Sequence, residues 1–117
     1  MESLFRCPLC AQPLDRQEDR YLCPQGHSFD RAAAGYVHLL PANKKHAKDP
    51  GDDKGMAAAR NRFLSGGYYA PLSQALASLA LTHTPDAPQI LDAGCGEGYY
   101  SAALFQRLVQ AGKRPRM

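Results

Sequence analysis

"CPLCAQPLDRQEDRYLCPQGH", residues 7–27, holds three of the four cysteines of the chain and one of its four histidines. The spacing is C-x2-C-x12-C-x3-H. Zinc takes four sulfur and imidazole ligands in a tetrahedron, and two short knuckles joined by a hairpin can supply them. Cys7 and Cys10 would form one knuckle, Cys23 and His27 the other. Pro8 and Pro24 stiffen the knuckles, and Gly26 permits a left-handed backbone just before His27. The residues between are polar, as a hairpin between knuckles should be. A redox pair at Cys7 and Cys10 would need a thioredoxin-type strand–helix context, which the flanking residues lack. The segment has too little apolar mass to bury free thiols unaided. A site with four protein ligands has no open position, so its role is structural or recognition rather than catalytic. His38, His46 and His83 lack such company and read as ordinary loop or surface residues.

Outward from this motif, the chain of 117 residues is the size of one ordinary domain. Its net charge of +3 suits an anionic partner without requiring one. No apolar run approaches the roughly 20 residues of a membrane span. The N-terminus "MESLFRCPLC" has no basic stretch leading into an apolar one, so no secretory signal is visible. A reducing, cytoplasmic setting follows as the expectation, in which thiols favour metal over disulfides.

Three segments separate by composition: residues 1–40, a zinc-binding domain of short strands and turns; residues 41–88, a helical connector; and residues 89–117. The connector opens with the basic "NKKHAKDPGDDKG". Asp52 or Asp53 is placed to cap a first helix, Ser65-Gly66-Gly67 to end it, and a second helix follows Pro71. Lys44, Lys45, Lys48, Lys54, Arg60 and Arg62 are candidates for phosphate contact, diluted by Asp49, Asp52 and Asp53. Phe29 and Tyr36 read as core residues, with RNA stacking as the other option.

In the third segment, "QILDAGCGEGYY" reads as a strand closing at Ile90 and Leu91, a turn carrying Gly94, Gly96 and Gly98, and a helix from about Tyr99. A dinucleotide fingerprint is G-x-G-x-x-G. Here the third glycine comes one residue early, and Asp92 and Glu97 set negative charge where a phosphate would lie. A P-loop lacks support because no Gly-Lys-Ser/Thr follows. An acidic glycine loop suits a cationic cofactor without phosphate, and S-adenosylmethionine, with its ammonium and sulfonium, is such a molecule. Cys95 reads as a small spacer, and Tyr99 and Tyr100 as packing residues.

Together, "FRCPLCAQPL", "YLCPQGHSFDRAAAGYVHLLP", "DPGD", "ARNRFLSGGYYAPL" and "ILDAGCGEGYY" resemble the N-terminal part of the bacterial 23S ribosomal RNA guanine-N1 methyltransferases. The resemblance covers nearly everything from Phe5 to about Tyr100. It implies a zinc domain that helps recognise ribosomal RNA, followed by a Rossmann-like domain that moves a methyl group from S-adenosylmethionine to N1 of a guanine in a 23S RNA hairpin. Cys7, Cys10, Cys23 and His27 match the family's zinc ligands, and Gly96 and Glu97 its cofactor loop. Tyr69 matches a tyrosine that touches the cofactor, an assignment resting on the resemblance alone. No catalytic base can be named from this segment, and a homodimer of a full-length form is left open.

The expected fold is thus α/β: a zinc-ribbon-like domain, a helical connector, and the first strand–loop–helix of a truncated Rossmann-like methyltransferase domain. A second strand should follow the helix, with an acid near its end for the ribose. "QAGKRPRM" has neither. The expectation is that the strand ending at Leu91 lacks parallel neighbours, that its apolar face is partly uncovered, and that the chain as written is not a competent methyltransferase. Two other functions stay open: a zinc-dependent RNA- or protein-binding module without catalysis, and a methyltransferase of a small molecule.

Overall fold

In a computed structural model describing residues 2–48 and 51–117, the chain separates into two units, residues 1–50 and 51–117.

The first unit is a four-stranded antiparallel sheet in the order β1 (Glu2–Arg6), β2 (Pro13–Arg16), β3 (Arg20–Leu22) and β4 (Ser28–Asp30). Each strand pairs with the next, so every connection is local. Asp15 and Arg16 oppose Leu22 and Tyr21, and Tyr21 opposes Phe29. That register puts Leu14, Tyr21 and Phe29 on the inner face, where Leu14 and Tyr21 are buried with Cys7 and Cys23. Phe5 adds an edge-to-face contact with Tyr21 at 5.5 Å between ring centres. The β2–β3 hairpin closes with Gln17 N–H donating to the Arg20 carbonyl at 2.9 Å. Arg20 grips Asp19 through two parallel hydrogen bonds of 2.9 and 2.8 Å.

Past β4, Arg31 bridges Val37 around a turn at Gly35 (φ +98°), and Val37 and Leu39 pack back onto the core. Phe29 joins that core as expected. Tyr36 does not: it sits at the turn and is 66% exposed. Its neighbour Val37 takes the inward position, and an extended backbone cannot turn adjacent side chains the same way. Of the basic segment, Ala42–Lys44 forms a short 3-10 helix and Lys44, Lys45 and Lys48 are exposed. Asp49 lies outside the described residues.

The second unit carries α1 (Lys54–Ser65), α2 (Ala70–His83) and α3 (Tyr99–Gln110). Asp53 caps α1, its carboxylate accepting from the Met56 N–H at 2.8 Å. Asp52 instead pairs with Arg60 at 2.5 Å. Gly66 and Gly67 (φ +83°) end α1, and Pro71 lies in the first turn of α2. The core of this unit is the α2–α3 contact, built on Ser73, Ala77 and the fully buried Leu108. Small residues on α2 let the helices approach closely. α1 buries only Leu64.

Two expectations about the third segment are corrected. Residues 88–91 do not form a strand ladder; Gln89 makes a single bridge, and Leu91 is 88% exposed. That bridge is parallel, and its partner is Arg116. Arg114 N–H donates to the Asp86 carbonyl at 2.7 Å, Arg116 N–H to Pro88 at 2.9 Å, and Ile90 N–H to Arg116 at 2.8 Å. A parallel neighbour therefore exists in "KRPRM", where side-chain character gave no sign of one. Main-chain pairing needs no apolar residues. In extended chain, alternate N–H groups face opposite sides. The N–H groups of Arg114 and Arg116 face the partner, while the N–H that Pro115 lacks would have faced away. α3 lies between the two paired stretches, which meet in this one isolated parallel bridge.

Candidate metal centre and glycine loop

Each ligand of the first site is delivered by a tight backbone turn. In the first knuckle, Cys7 N–H donates to the Gln12 carbonyl and Ala11 N–H to the Cys7 carbonyl, both at 2.8 Å. Ala11 takes a left-handed conformation, φ +60°. In the second, Gly26 N–H donates to the Cys23 carbonyl at 2.9 Å with Gly26 at φ +85°, and Cys23 N–H closes onto His27 at 3.1 Å. Gly26 thus has the backbone expected of it.

The ligand atoms of Cys7, Cys10, Cys23 and His27 all lie within 4.8 Å of one another. His27 Nδ1 is 3.5 Å from Cys7 Sγ and 3.3 Å from Cys23 Sγ, and Cys10 Sγ is 3.7 Å from Cys23 Sγ. A tetrahedral zinc with the usual bond lengths sets sulfurs about 3.8 Å apart and sulfur about 3.6 Å from nitrogen. The donor set fits that ion in type, number and spacing. Among the described residues this is the one cluster of metal-ligating side chains.

The thiols show why a cation belongs there. For Cys7, burial is the largest influence and opposes ionisation. The N–H groups of Leu9 and Cys10, with the Cys10 and Cys23 thiols, outweigh it and hold the group below the ordinary thiol value. Cys23 is lowered likewise: burial again opposes, and the His27 N–H, Cys10 and the Gln25 N–H prevail. Cys10 moves the other way. The Gln12 N–H is its strongest influence and favours thiolate, yet burial and its two sulfur neighbours together raise it. Three thiols in one site cannot all ionise on their own; a divalent cation removes that conflict and deprotonates a coordinating thiol outright.

The glycine loop is held differently. Gly94, Gly96 and Gly98 all have positive φ, at +74°, +59° and +81°. A Cβ at any of them would meet nothing within 4 Å, so backbone conformation rather than space demands glycine. The alternation turns the chain sharply into α3, with Gly98 as its N-cap residue. Residues 91–97 are exposed, Cys95 among them. The two acids of the loop both have side-chain partners. Asp92 accepts from the Ser101 hydroxyl on the first turn of α3. Glu97 Oε2 accepts from Asn61 Nδ2 on α1 at 2.6 Å.

Reading the sequence missed both donors. Ser101 lies within one turn of the loop, where a hydroxyl could have been suspected. Asn61 stands 36 residues away, and no local signal connects it. Tyr69 sits at the N-terminus of α2, edge-on to Phe63 at 5.5 Å, while Tyr68 stacks on Phe63 at 5.0 Å. Among the described residues no hydrogen bond or ring contact joins Tyr69 to the loop. Tyr99 and Tyr100 are half-buried and pack edge-to-face at 5.0 Å.

The first unit, with its knuckles, hairpin and four converging ligands, is a zinc ribbon with a closed site. Comparison with known families agrees: residues 5–48 match the model described as RlmA, N-terminal, a zinc ribbon. The resemblance extends well beyond the ribbon. The chain is 40% identical to a putative 23S rRNA (guanine-N(1)-)-methyltransferase of Micromonospora griseorubida, over 92% of this chain and 41% of the relative. It is 42% identical to the 23S rRNA (guanine(748)-N(1))-methyltransferase of Streptomyces fradiae, over 92% of this chain and 38% of the relative. A third similar protein, a putative 23S rRNA (guanine-N(1)-)-methyltransferase of Bacillus subtilis (strain 168), is 36% identical over 87% of this chain. The chain spans about two fifths of the length of these curated relatives, between 36% and 41%. No helix among the described residues is long and apolar enough to cross a membrane.

Proposed function

We propose that this protein is an S-adenosylmethionine-dependent methyltransferase of 23S ribosomal RNA that acts on N1 of a guanine, with the zinc ribbon as part of its RNA-recognition surface. One observation carries the proposal. The similarity to proteins named for this activity runs through both units, ribbon and glycine loop alike, over 87–92% of the chain. A ribbon borrowed as a generic binding module would match over residues 5–48 and stop there.

The roles divide by unit. The closed four-ligand site leaves no open position for a substrate, so Cys7, Cys10, Cys23 and His27 would shape a rigid surface and take no part in transfer. Lys44, Lys45 and Lys48 lie exposed in the same unit and suit phosphate contact. In the second unit, residues 86–116 would be the opening β-α-β of a Rossmann-like domain, with the glycine loop at its turn. S-adenosylmethionine supplies an electrophilic methyl on a sulfonium. Asp92 and Glu97 would complement its positive charge, and Gly94, Gly96 and Gly98 would let main chain approach it. Tyr69 is assigned to the cofactor through family likeness. Transfer of this kind depends on aligning the methyl carbon with the acceptor nitrogen, so the contribution of these residues is positioning. The domain scheme follows: residues 1–40 as the zinc-binding domain, 41–88 as connector, and 89–117 as the start of the cofactor domain, in a cytoplasmic protein.

Titration of the zinc-loaded chain with S-adenosylmethionine, in parallel with a 23S rRNA hairpin, tests the proposal. Saturable binding of both is expected. Tight RNA binding with no response to the cofactor would reduce the protein to a zinc-dependent RNA-binding module.

A further inference from the structure

The glycine loop is expensive to order. Gly94, Gly96 and Gly98 give up a wide conformational range to adopt left-handed angles. Almost no side-chain packing compensates, since residues 91–97 are exposed. Within the loop the backbone supplies the Gly98 N–H to Cys95 carbonyl bond at 3.0 Å. The remaining restraint comes from side chains at the two acids. Ser101 restrains Asp92 from the adjoining helix. Asn61 restrains Glu97 from a different helix altogether, at 2.6 Å.

We infer that Asn61 is a positioning residue: its amide clasps the Glu97 carboxylate, fixes the loop before a ligand arrives, and couples the placement of α1 to occupancy of the loop. This rests on the reading of the loop as the cofactor site. Three observations support it. The bond uses Oε2 of Glu97 and leaves Oε1 with its acceptor capacity unspent on Asn61. The donor is neutral, so it orients the carboxylate without cancelling the charge a sulfonium or ammonium would seek. And α1 buries only Leu64, so the hydrogen bond from Asn61 is a specific tie between an otherwise exposed helix and the loop. The coupling is reciprocal: a ligand that engages Glu97 also steadies α1.

The test is a double-mutant cycle on the full zinc-loaded chain, with N61A, E97A and the pair, and N61Q as the conservative variant. Two readouts are taken. Amide hydrogen exchange at residues 94–98 is measured without ligand, and the dissociation constant for S-adenosylhomocysteine by calorimetry. N61A is expected to speed exchange across the loop and weaken binding, each by about tenfold. N61Q should recover most of both. In the E97A background, N61A should change neither readout, because the clasp is already gone. The melting temperature of residues 51–117 should barely move, which separates positioning from general support of the fold. Additive effects of the two substitutions, or unchanged loop exchange in N61A, would overturn the inference. A wild-type chain that ignores S-adenosylhomocysteine while its loop exchange still responds to N61A would sink the cofactor reading and leave the clasp standing.

Discussion

The two candidate sites of this chain solve the same problem by opposite means. Both must hold polar side chains in a fixed array with little hydrophobic mass behind them. In residues 7–27 the array converges on one point, and every ligand is brought there by a turn a few residues long. In residues 92–98 the array is spread along an exposed loop, and its acids are restrained from outside, by Ser101 and Asn61. The first arrangement depends on an ion for its coherence, because three thiols will not share a site as thiolates unaided. The second depends on backbone angles that only glycine adopts readily, and on a helix distant in sequence. The difference shows where fragility lies: in the ribbon it is chemical, in the loop conformational.

Removing the metal should have the largest effect and should split the molecule. Structural zinc supplies on the order of 10 kcal/mol or more in small metal-folded segments. Chelation, or C23S, is expected to abolish the dispersed amide resonances of residues 2–39 while the helical signals of residues 54–110 persist. Loss of both sets together would break the contrast between the units. Next comes L108A, which empties the fully buried position on α3. A loss of about 2–5 kcal/mol is expected in the melting of the second unit, with zinc content by elemental analysis unchanged.

A smaller effect sharpens the comparison directly. G98A and G26A each place a Cβ on a residue with φ above +80° and no neighbour within 4 Å. Each should cost about 1–2 kcal/mol from backbone strain alone. G98A should appear as lost helicity at the start of α3 by chemical shift, and G26A as weaker zinc affinity in a competition titration with a chromogenic chelator. Equal effects of both substitutions on zinc affinity would erase the distinction.

The smallest effect concerns pH. The Arg20 hydrogen bonds hold the Asp19 carboxyl below the ordinary aspartate value. Its folded value is depressed, so the stabilisation it gives the β2–β3 hairpin is present above the ordinary value. It is lost as pH falls through the lowered one. Both side chains are largely exposed, so the contribution is small. In acid titrations monitored at the hairpin amides, D19N should remove this component and leave the rest of the profile in place.

How much of this was legible in the sequence follows from the same contrast. The metal centre was readable because its information is local: four residues at fixed spacing, with Gly26 where a left-handed turn is needed. The Asp53 cap, the Gly66-Gly67 stop and Pro71 in the first turn of α2 were readable for the same reason. The pairing of Gln89 with Arg116 was not. It is made by main chain in a stretch whose side chains are basic, and side-chain pattern is all that a sequence displays. The Asn61–Glu97 bond was hidden for another reason: it joins residues brought together only once the helices fold. Tyr36 was misplaced because aromatic character favours burial, while the turn at Gly35 sets it outward and gives the inner place to Val37.

In the first knuckle the backbone itself resists the turn. Ala11 has a side chain where the backbone, at φ +60°, would suit glycine better. Adopting that angle costs about 1 kcal/mol or somewhat more. The first knuckle therefore closes against a small backbone penalty that glycine at this position would avoid. A single methyl group sets the cost of the turn.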